Sequence, residues 1–235
     1  MKEEQTTPAT SSRTAGSQTL ARGLTILRHV TESADGLSST EVAELSGVHR
    51  TVAYRILNTL CDSQLLHRGT DGRYRGAAGL LSLAAAGHQH LRNSAIPHLR
   101  QAANELGATV ALLAREGSSA VALAVVAPTT GSYHIAFSEG AHHPLTAGAA
   151  GLALQAAEPP SEHDSEQVLH AREQGYAETF GQVEPNMFGL AVPLPARGLT
   201  PASCLTAITV REETAQAALE PLQRIARALT EELAG

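Results

Sequence analysis

Apolar residues recur at helical spacing in two short segments near the start of the chain. The leucines of SQTLARGLTILRHV are three or four positions apart, which predicts a first helix that ends at the ADG turn of residues 34–36. In the next segment, LSSTEVAEL, Ser38 and Glu41 have the spacing of a capping box and predict a short second helix. The apolar residues at this spacing in the first helix are Leu20, Leu24, Leu27 and, on a flank, Val30. In the second helix, Val42 and Leu45 are the pair predicted to be buried.

A third amphipathic segment follows Gly47 and predicts a helix from about His49 to Asp62. Its apolar side contains Val52, Ala53, Ile56, Leu57 and Leu60, and its polar side contains Arg50, Thr51, Tyr54, Arg55 and Asn58. The stretch LLHRGTDGRYR then predicts two short strands joined by a turn at Asp71 and Gly72. Two helices, a turn, a third helix and a two-stranded wing form a winged helix-turn-helix, whose last helix enters the major groove of DNA.

The remainder of the chain predicts an α+β domain. GLLSLAAAGHQHL predicts a linking helix, and SAIPHLRQAANELG a second helix with Ser94 as N-cap and Pro97 in its first turn. TVALLAR, AVALAVVA and SYHIAF predict strands, and the small residues of LTAGAAGLALQAA predict a helix after the loop SEGAHHP. A helix capped by Ser161, the strands FGLAVPL and CLTAITV, and one closing helix in ETAQAALEPLQRIARALTEEL complete the order αβββααββα, typical of a central antiparallel sheet.

Charge and composition divide the 235 residues in the same way. Residues 1–90 hold nine Lys and Arg against eight Asp and Glu, whereas residues 91–235 hold eight against fifteen. Such a split favours two domains with different roles. We therefore predict a disordered arm at 1–16, a DNA-binding domain at 17–78, a linker helix at 79–92 and an effector-binding domain at 93–235.

The composition also favours a cytoplasmic protein. Cys61 and Cys204 are the only cysteines and fall in different predicted domains, which is not a disulfide framework. The N-terminal segment has acidic residues and no apolar core of a signal peptide, and no apolar run approaches the roughly 18 residues of a membrane span. We expect no membrane partner.

The polar side of the third predicted helix carries groups that can read DNA. Arg50 and Arg55 can donate to guanine or to phosphate, while Thr51 and Tyr54 can reach base edges, thymine methyl groups or phosphates. A solvated helix face is polar in any case, so the prediction depends on the ordered set of helix pair, wing and basic face. The predicted DNA contacts are Arg22, Ser39, Thr40, Arg50, Thr51, Tyr54, Arg55, Arg73, Tyr74 and Arg75.

Eleven histidines raise the question of a metal site, and Cys204 that of a nucleophile. The histidine pairs at 88 and 90, 142 and 143, and 163 and 170 lack the spacing of zinc motifs, although His142 and His143 are candidates for a ligand contact. Nothing in the sequence places Cys204 beside either of these two histidines. We predict no catalytic residue, no metal and no cofactor.

Taken in order, these segments resemble the IclR family of bacterial transcriptional regulators. SQTLARGLTILRHV is similar to the family's first helix, LSSTEVAELSGVHRTVAYRILNTL to its helix-turn-helix, and LLHRGTDGRYRGAAGLLSLA to its wing and linker. EGAHHPLTAGAAGLALQA, GYAETFGQVEPNMFGLAVPL and CLTAITV follow in family order. The resemblance implies a winged helix joined by a linker helix to a GAF-like α/β effector-binding domain, assembled as a homodimer or homotetramer.

The resemblance also implies a ligand pocket and shows where this chain departs from the family. The backbone amides of Ala149 and Ala150 match positions that meet a ligand anion, and Thr206 matches a hydroxyl-bearing position. The departures are His49 where the family often has proline, Ile208 where a second hydroxyl is common, Gly189 where cysteine is common, and Thr179 or Phe180 where acidic residues are common.

These departures predict a less polar pocket and an apolar effector, aromatic or lactone-like, although Phe180 and Phe188 are equally well explained as core residues. The residues predicted to bind it are Ala149, Ala150, Phe180, Met187, Phe188, Gly189, Cys204, Thr206 and Ile208.

We therefore expect a ligand-responsive repressor that binds double-stranded operator DNA. One winged helix reads one half-site, so a palindromic operator requires at least a dimer. The alternatives are a metal-dependent or ligand-metabolising enzyme with a DNA-binding appendage, which would turn over its ligand, and an architectural protein without an effector. The near-neutral charge of residues 1–90 argues against the architectural protein.

Overall fold

Three helices and a two-stranded hairpin surround the hydrophobic core of the N-terminal unit. The computed structural model describes residues 16–129, 137–194 and 201–233, and its chain divides into two units, Met1–Gly87 and His88–Gly235. The predicted N-terminal arm lies, up to residue 15, outside the described residues. The first unit contains α1 (Gln18–Glu32), α2 (Ser39–Leu45), α3 (Arg50–Asp62), β1 (Leu66–Arg68), β2 (Tyr74–Gly76) and α4 (Gly79–Ala86).

Local capping sets the helix starts in this unit. The Ser38 hydroxyl accepts from the Glu41 backbone N–H at 3.3 Å, and Glu41 Oε2 accepts from the Ser38 N–H at 2.7 Å, which confirms the predicted capping box of α2. His49 caps α3, because its Nδ1 accepts from the Thr51 N–H at 3.3 Å. The two wing strands pair in antiparallel register around the predicted turn, where Gly72 has a φ of 77°.

Four residues from the apolar faces of these helices lie outside the core of this unit, among them Leu45, which was predicted to be buried. Leu20, Leu24 and Leu45 are exposed, and Val52 is at the margin of exposure. The buried side chains are instead Ile26, Val30, Val42, Ala43, Ala53, Leu57, Leu66 and Tyr74. Helical periodicity identified the helices correctly, but α1 turns its Ile26 and Val30 face inward and leaves the Leu20 and Leu24 face uncovered.

A six-stranded antiparallel sheet forms the centre of the second unit. Its strand order is β5-β4-β3-β8-β7-β6. The elements are α5 (Gln89–Leu106), β3 (Thr109–Glu116), β4 (Ser119–Val126), β5 (His142–Pro144), α6 (Gly148–Ala156), α7 (Glu166–Gln174), β6 (Ala177–Phe180), β7 (Phe188–Leu194), β8 (Ser203–Thr209), α8 (Glu212–Ala217) and α9 (Leu219–Glu232).

Helices cover both faces of this sheet. Val110 and Leu112 of β3 belong to the core beneath α5 and α9, while the alternate residues Ala111 and Leu113 belong to the core beneath α6 and α7. Because both faces are buried, β3 and β4 are nearly continuous apolar runs, as the sequence indicated. The GAF-like α/β unit therefore follows a winged helix-turn-helix, as expected.

The predicted order of elements was incomplete. The strands β5 and β6 were not predicted, since three or four residues are too few to show an alternating pattern. The predicted strand SYHIAF lies, up to residue 136, outside the described residues. The helix expected to be capped by Ser161 begins instead at Glu166, where the Ser165 hydroxyl accepts from the Val168 N–H.

Two further differences from the predicted helices lie near prolines. The single closing helix is divided into α8 and α9 at Ala218, three residues before Pro221, which has no N–H to donate to the carbonyl of Ala217. In contrast, α5 runs through Pro97 and begins at Gln89 rather than after Ser94. Burial of one face of α5 outweighs the single hydrogen bond that the proline removes.

Candidate nucleic-acid interface and ligand pocket

The exposed face of α3 is polar and basic. Ala53 and Leu57 fix the inner face of the helix, so that Arg50, Thr51 and Arg55 are directed outward and 46% of Tyr54 is exposed. Four of the predicted DNA-contacting side chains are therefore brought together on one helix surface.

Hydrogen bonds connect this surface to the helix before it. Arg50 Nη2 donates to Thr40 Oγ1 at 2.5 Å, which holds the guanidinium group at the start of α2. Ser39 occupies the first turn of the same helix. On α1, Arg22 is exposed and lines an open groove that Arg55 of α3 also lines. The structure thus brings Arg50 into contact with Thr40 and places Arg22 and Arg55 along the same groove.

Tyr74 is the exception, and its assignment to the DNA contacts was wrong. Only 1% of the residue is exposed, because β2 turns it into the core between the helices. Its hydroxyl is buried without a hydrogen-bond partner among the described residues, and burial raises the pKa of this group. A side chain buried in this way cannot reach DNA. Alternation along the strand explains the error, since the neighbouring arginines lie on the opposite face.

Arg73 and Arg75 of the wing have acidic partners in the protein. Arg73 donates from Nη2 to Glu41 Oε1 at 2.9 Å and from Nε to the Gly36 carbonyl at 3.1 Å. Arg75 donates to both carboxylate oxygens of Asp71, at 3.1 and 2.7 Å. These arginines brace the wing, and their charge is largely balanced within it.

Hydrogen bonds also lower the pKa values of the two carboxylates, Glu41 and Asp71. Hydrogen bonds with Ser38, followed by that from Arg73, lower the pKa of Glu41 from 4.5 to about 2. The hydrogen bonds from Arg75 and from the Arg73 backbone lower the pKa of Asp71 well below its usual range. Both carboxylates are therefore ionised over the whole physiological range.

Arg68 is a further wing arginine and is not among the predicted DNA contacts. It lies on β1 opposite Tyr74, and its guanidinium carbon is 5.7 Å from the centre of that ring. The side chain is exposed and makes no ion pair among the described residues. The predicted hairpin pairs Arg68 with Tyr74, and this pairing could have indicated Arg68 as a wing residue from the sequence.

A small cavity lies between α6 and the ends of β6, β7 and β8. Its volume is about 50 Å³, and seven of the nine predicted effector-binding residues line it. These seven are Ala149, Ala150, Met187, Phe188, Gly189, Thr206 and Ile208. Thr206 donates its hydroxyl hydrogen to the Leu190 carbonyl at 3.1 Å, so only the oxygen lone pairs remain for a ligand.

Two predicted effector contacts do not line the cavity. Phe180 is 55% exposed and stacks against Phe188 with 4.4 Å between ring centres, so it supports the wall from outside. Cys204 is fully buried behind α6, with its Sγ 3.7 Å from the Ala150 carbonyl oxygen, and burial raises the pKa of the thiol. Strand alternation decides the case of Phe180, since the pocket face of β6 belongs to Thr179. Cys204 shares its face of β8 with Thr206 and Ile208, but it lies further along the strand, against α6.

Several pocket residues were absent from the predicted set. His143 of β5 lines the cavity and is only 9% exposed, and the loop between β6 and β7 contributes Gln182, Val183 and Glu184. Leu113, Phe137, Gly148 and Thr179 complete the wall. His143 had been noted only as a candidate for a ligand contact. The loop carries no periodic signal that could have indicated it.

No group of three metal-binding side chains exists among the described residues. Within the same part of the chain, no helix has the length and apolar character to cross a membrane.

Comparison with known proteins agrees with this arrangement. The IclR helix-turn-helix domain matches residues 19–69, and the C-terminal domain of the bacterial transcriptional regulator IclR matches residues 83–170. The HTH-type transcriptional regulator Rv1719 of Mycobacterium tuberculosis is 33% identical over 67% of this chain, and that alignment spans 59% of Rv1719. The DNA-binding transcriptional repressor YiaJ of Escherichia coli is 24% identical over 94% of this chain and 89% of its own length.

The fold has been seen in a solved structure of similar extent. An IclR homologue from Microbacterium hydrocarbonoxydans, crystallised with 4-hydroxybenzoate, superposes with a TM-score of 0.76 at 20% identity, covering 92% of this chain and 99% of its own. The chain has a winged helix followed by an α/β unit, and both parts match sequence models of the same family. The chain belongs to the IclR family of bacterial transcriptional regulators.

Proposed function

We propose that this protein is a ligand-responsive repressor that reads operator DNA through α3 and its wing. The observation that carries the proposal is the exposed row of Arg50, Thr51, Tyr54 and Arg55 above a buried apolar face. These side chains can donate to guanine and phosphate and can contact thymine methyl groups. The related YiaJ is named a repressor, which supports this direction of control. A protein that binds chromosomal DNA would act in the cytoplasm.

The protein acts as a homodimer or as a pair of dimers. α4 has no buried residue, and 74% of Leu81 and 61% of Leu83 are exposed, as are Leu20 and Leu24 of α1. Apolar helix surfaces of this kind mark interaction sites, and a two-fold dimer would present two winged helices to a palindromic operator. A second copy of the chain is therefore the partner that we propose for these leucines.

The cavity beneath α6 receives the effector. It combines apolar walls from Met187, Phe188 and Ile208 with a few polar groups, which is the usual character of a small-molecule site. The structural neighbour from Microbacterium was crystallised with an aromatic compound, which supports a small aromatic or lactone-like effector here. To regulate, the effector must bind one arrangement of the paired DNA-binding domains more tightly than the other.

Fluorescence anisotropy with the chain's own upstream DNA tests the proposal. We expect wild-type protein to bind this DNA much more tightly than scrambled DNA at two salt concentrations. Arg55→Ala should weaken specific binding by about 1–3 kcal/mol and relax the preference at one base pair. Arg224→Ala removes one positive charge from α9, far along the chain from the winged helix, and should leave binding unchanged. Equal losses in the two variants would contradict a role for Arg55 in base reading.

A further inference from the structure

The cavity beneath α6 is too small for a ligand as the structure stands. Its 50 Å³ is less than the roughly 150 Å³ of an apolar cavity that accepts a benzene ring. The space is reduced by the loop after β6, where Val183 packs so closely against Gly148 that a Cβ on this glycine would lie 2.6 Å from Val183 Cγ2. Movement of this loop away from Gly148 would enlarge the cavity.

One side-chain contact fastens the loop to α6. Gln182 Oε1 accepts a hydrogen bond from the Gly148 backbone N–H at 2.9 Å. Gly148 is the first residue of α6, where the helix itself offers no acceptor for the N–H. The carboxamide oxygen of Gln182 therefore occupies the position in which a carbonyl oxygen of a ligand would be bound.

The charges around the cavity distinguish between ligand classes. Among the described residues that line it, Glu184 is acidic and none is Lys or Arg. The start of a helix contributes roughly half a positive charge, which is less than the full negative charge of Glu184. A ligand carboxylate would lie near this carboxylate without a cationic partner, whereas an uncharged carbonyl would avoid the repulsion.

His143 offers a second polar contact next to the first. Its Nδ1 lies 3.0 Å from the Pro144 carbonyl oxygen. Because a carbonyl oxygen only accepts hydrogen bonds, Nδ1 carries the hydrogen, and Nε2 of the neutral ring is then an acceptor. This nitrogen has no hydrogen bond among the described residues, and only 9% of the residue is exposed. The ring lies beside Gly148, with Cε1 3.6 Å from the position of a Cβ on that glycine.

We propose that the effector is an uncharged carbonyl compound with an adjacent hydrogen-bond donor, such as a primary amide or a lactam, and that Gln182 is its built-in competitor. The effector's carbonyl oxygen replaces Gln182 Oε1 at the Gly148 N–H, and its N–H donates to His143 Nε2. The displaced Gln182 releases the loop, and Val183 leaves the cavity. This assignment rests on the proposed function only in taking the cavity as the effector site.

Two probes of equal shape and different charge test the ligand class. Benzamide and benzoate are titrated into the full-length protein by calorimetry at neutral pH. We expect benzamide to bind at least about tenfold more tightly than benzoate, because only the amide avoids repulsion by Glu184 and can donate to His143. Equal or tighter binding of benzoate overturns the proposal, as does the absence of benzamide binding at millimolar concentration.

Variants of Gln182 test the competition. Gln182→Ala removes the competing oxygen and should tighten benzamide binding several-fold, whereas Gln182→Glu places a carboxylate at the helix start and should weaken it. Gln174→Ala, on the exposed end of α7, is the matched control and should change nothing. If Gln182→Ala weakens benzamide binding, the residue is a ligand contact and not a competitor, and the proposal fails.

Operator binding without any probe separates this proposal from the proposed function. A protein that binds its upstream DNA specifically but prefers benzoate would keep the regulator assignment and lose the ligand class. Conversely, a protein that binds benzamide as described but shows no specific DNA binding would lose the regulator assignment alone.

Discussion

At the scale of single residues, position within an element decides what a side chain does. Tyr74 lies between two arginines that extend outward from the wing, yet it is a core residue whose hydroxyl has no partner among the described residues. Tyr54 has the same chemistry but lies on the exposed face of α3. The two tyrosines should therefore respond in opposite ways to loss of the hydroxyl group.

Tyr74→Phe should stabilise the protein by about 1 kcal/mol, because it removes a buried polar group that has no hydrogen bond. It should leave operator affinity unchanged. Tyr54→Phe should leave the free energy of unfolding unchanged and weaken operator binding. Urea denaturation and fluorescence anisotropy of both variants provide the measurements. If Tyr74→Phe lowers the DNA affinity without lowering the stability, Tyr74 contacts DNA after all.

Gly151 and Gly23 should also respond in opposite ways to the same substitution. Both lie in helices, but a Cβ on Gly151 would lie 2.3 Å from the Leu145 carbonyl oxygen, whereas one on Gly23 would meet Ile56 at an ordinary 3.8 Å. Gly23→Ala should stabilise by roughly 0.5–1 kcal/mol through the higher helix propensity of alanine. Gly151→Ala has the same gain, but overpacking costs about 1–3 kcal/mol, so we expect net destabilisation in urea denaturation. Stabilisation by both substitutions would show that α6 can move away from Leu145.

At the scale of elements, α2 shows how one cap can support two parts of the fold. Glu41 closes the capping box with Ser38 and also holds Arg73 of the wing at 2.9 Å. The second helix of the helix-turn-helix is thereby connected to the wing by a single carboxylate. Loss of the cap should consequently loosen the wing as well as the helix end.

The stability of this unit should fall in acid partly through Glu41. Because the folded-state pKa is lowered from 4.5 to about 2, the contribution of Glu41 is complete above pH 4.5 and is lost as the pH falls through 2. Glu41→Gln should lower the stability at neutral pH and flatten its decline below pH 4.5, with Asp71 retaining part of the slope.

Ser38→Ala is the companion variant and should cost about 1 kcal/mol at neutral pH. Denaturant unfolding of both variants from pH 7 to pH 2 gives the comparison. An unchanged acid slope in Glu41→Gln would mean that other carboxylates carry the dependence.

At the scale of the whole molecule, the proposed assembly into dimers rests on the uncovered leucines. Leu81→Asp combined with Leu83→Asp should shift the protein toward monomers in sedimentation velocity and weaken operator binding at least tenfold. The reason is that a charge within a buried apolar interface is costly and a single winged helix reads only a half-site. Leu169→Asp, on the exposed side of α7, is the control and should change neither property. An intact dimer in the double variant would place the interface elsewhere.

Periodicity, caps and turn chemistry determined much of this protein from its sequence alone. They predicted α1, α2 and α3, the capping box at Ser38, the wing turn at Gly72 and the buried strands β3 and β4. These are local features, in which residues one to four positions apart decide the backbone conformation. The polar face of α3 follows from the same spacing, which is why its residues could be named in advance.

Only the tertiary structure decided which apolar faces are covered and which polar groups are already paired. Periodicity shows that a helix has an apolar face but not whether a neighbour in the fold covers it. It therefore could not show that Leu20 and Leu24 are exposed, and the predicted burial of Leu45 was wrong. The hydrogen bond beside the cavity joins Gln182 and Gly148, which are 34 positions apart and lie on a loop and a helix start. No local pattern encodes such a contact, because it exists only after the sheet has brought the two segments together.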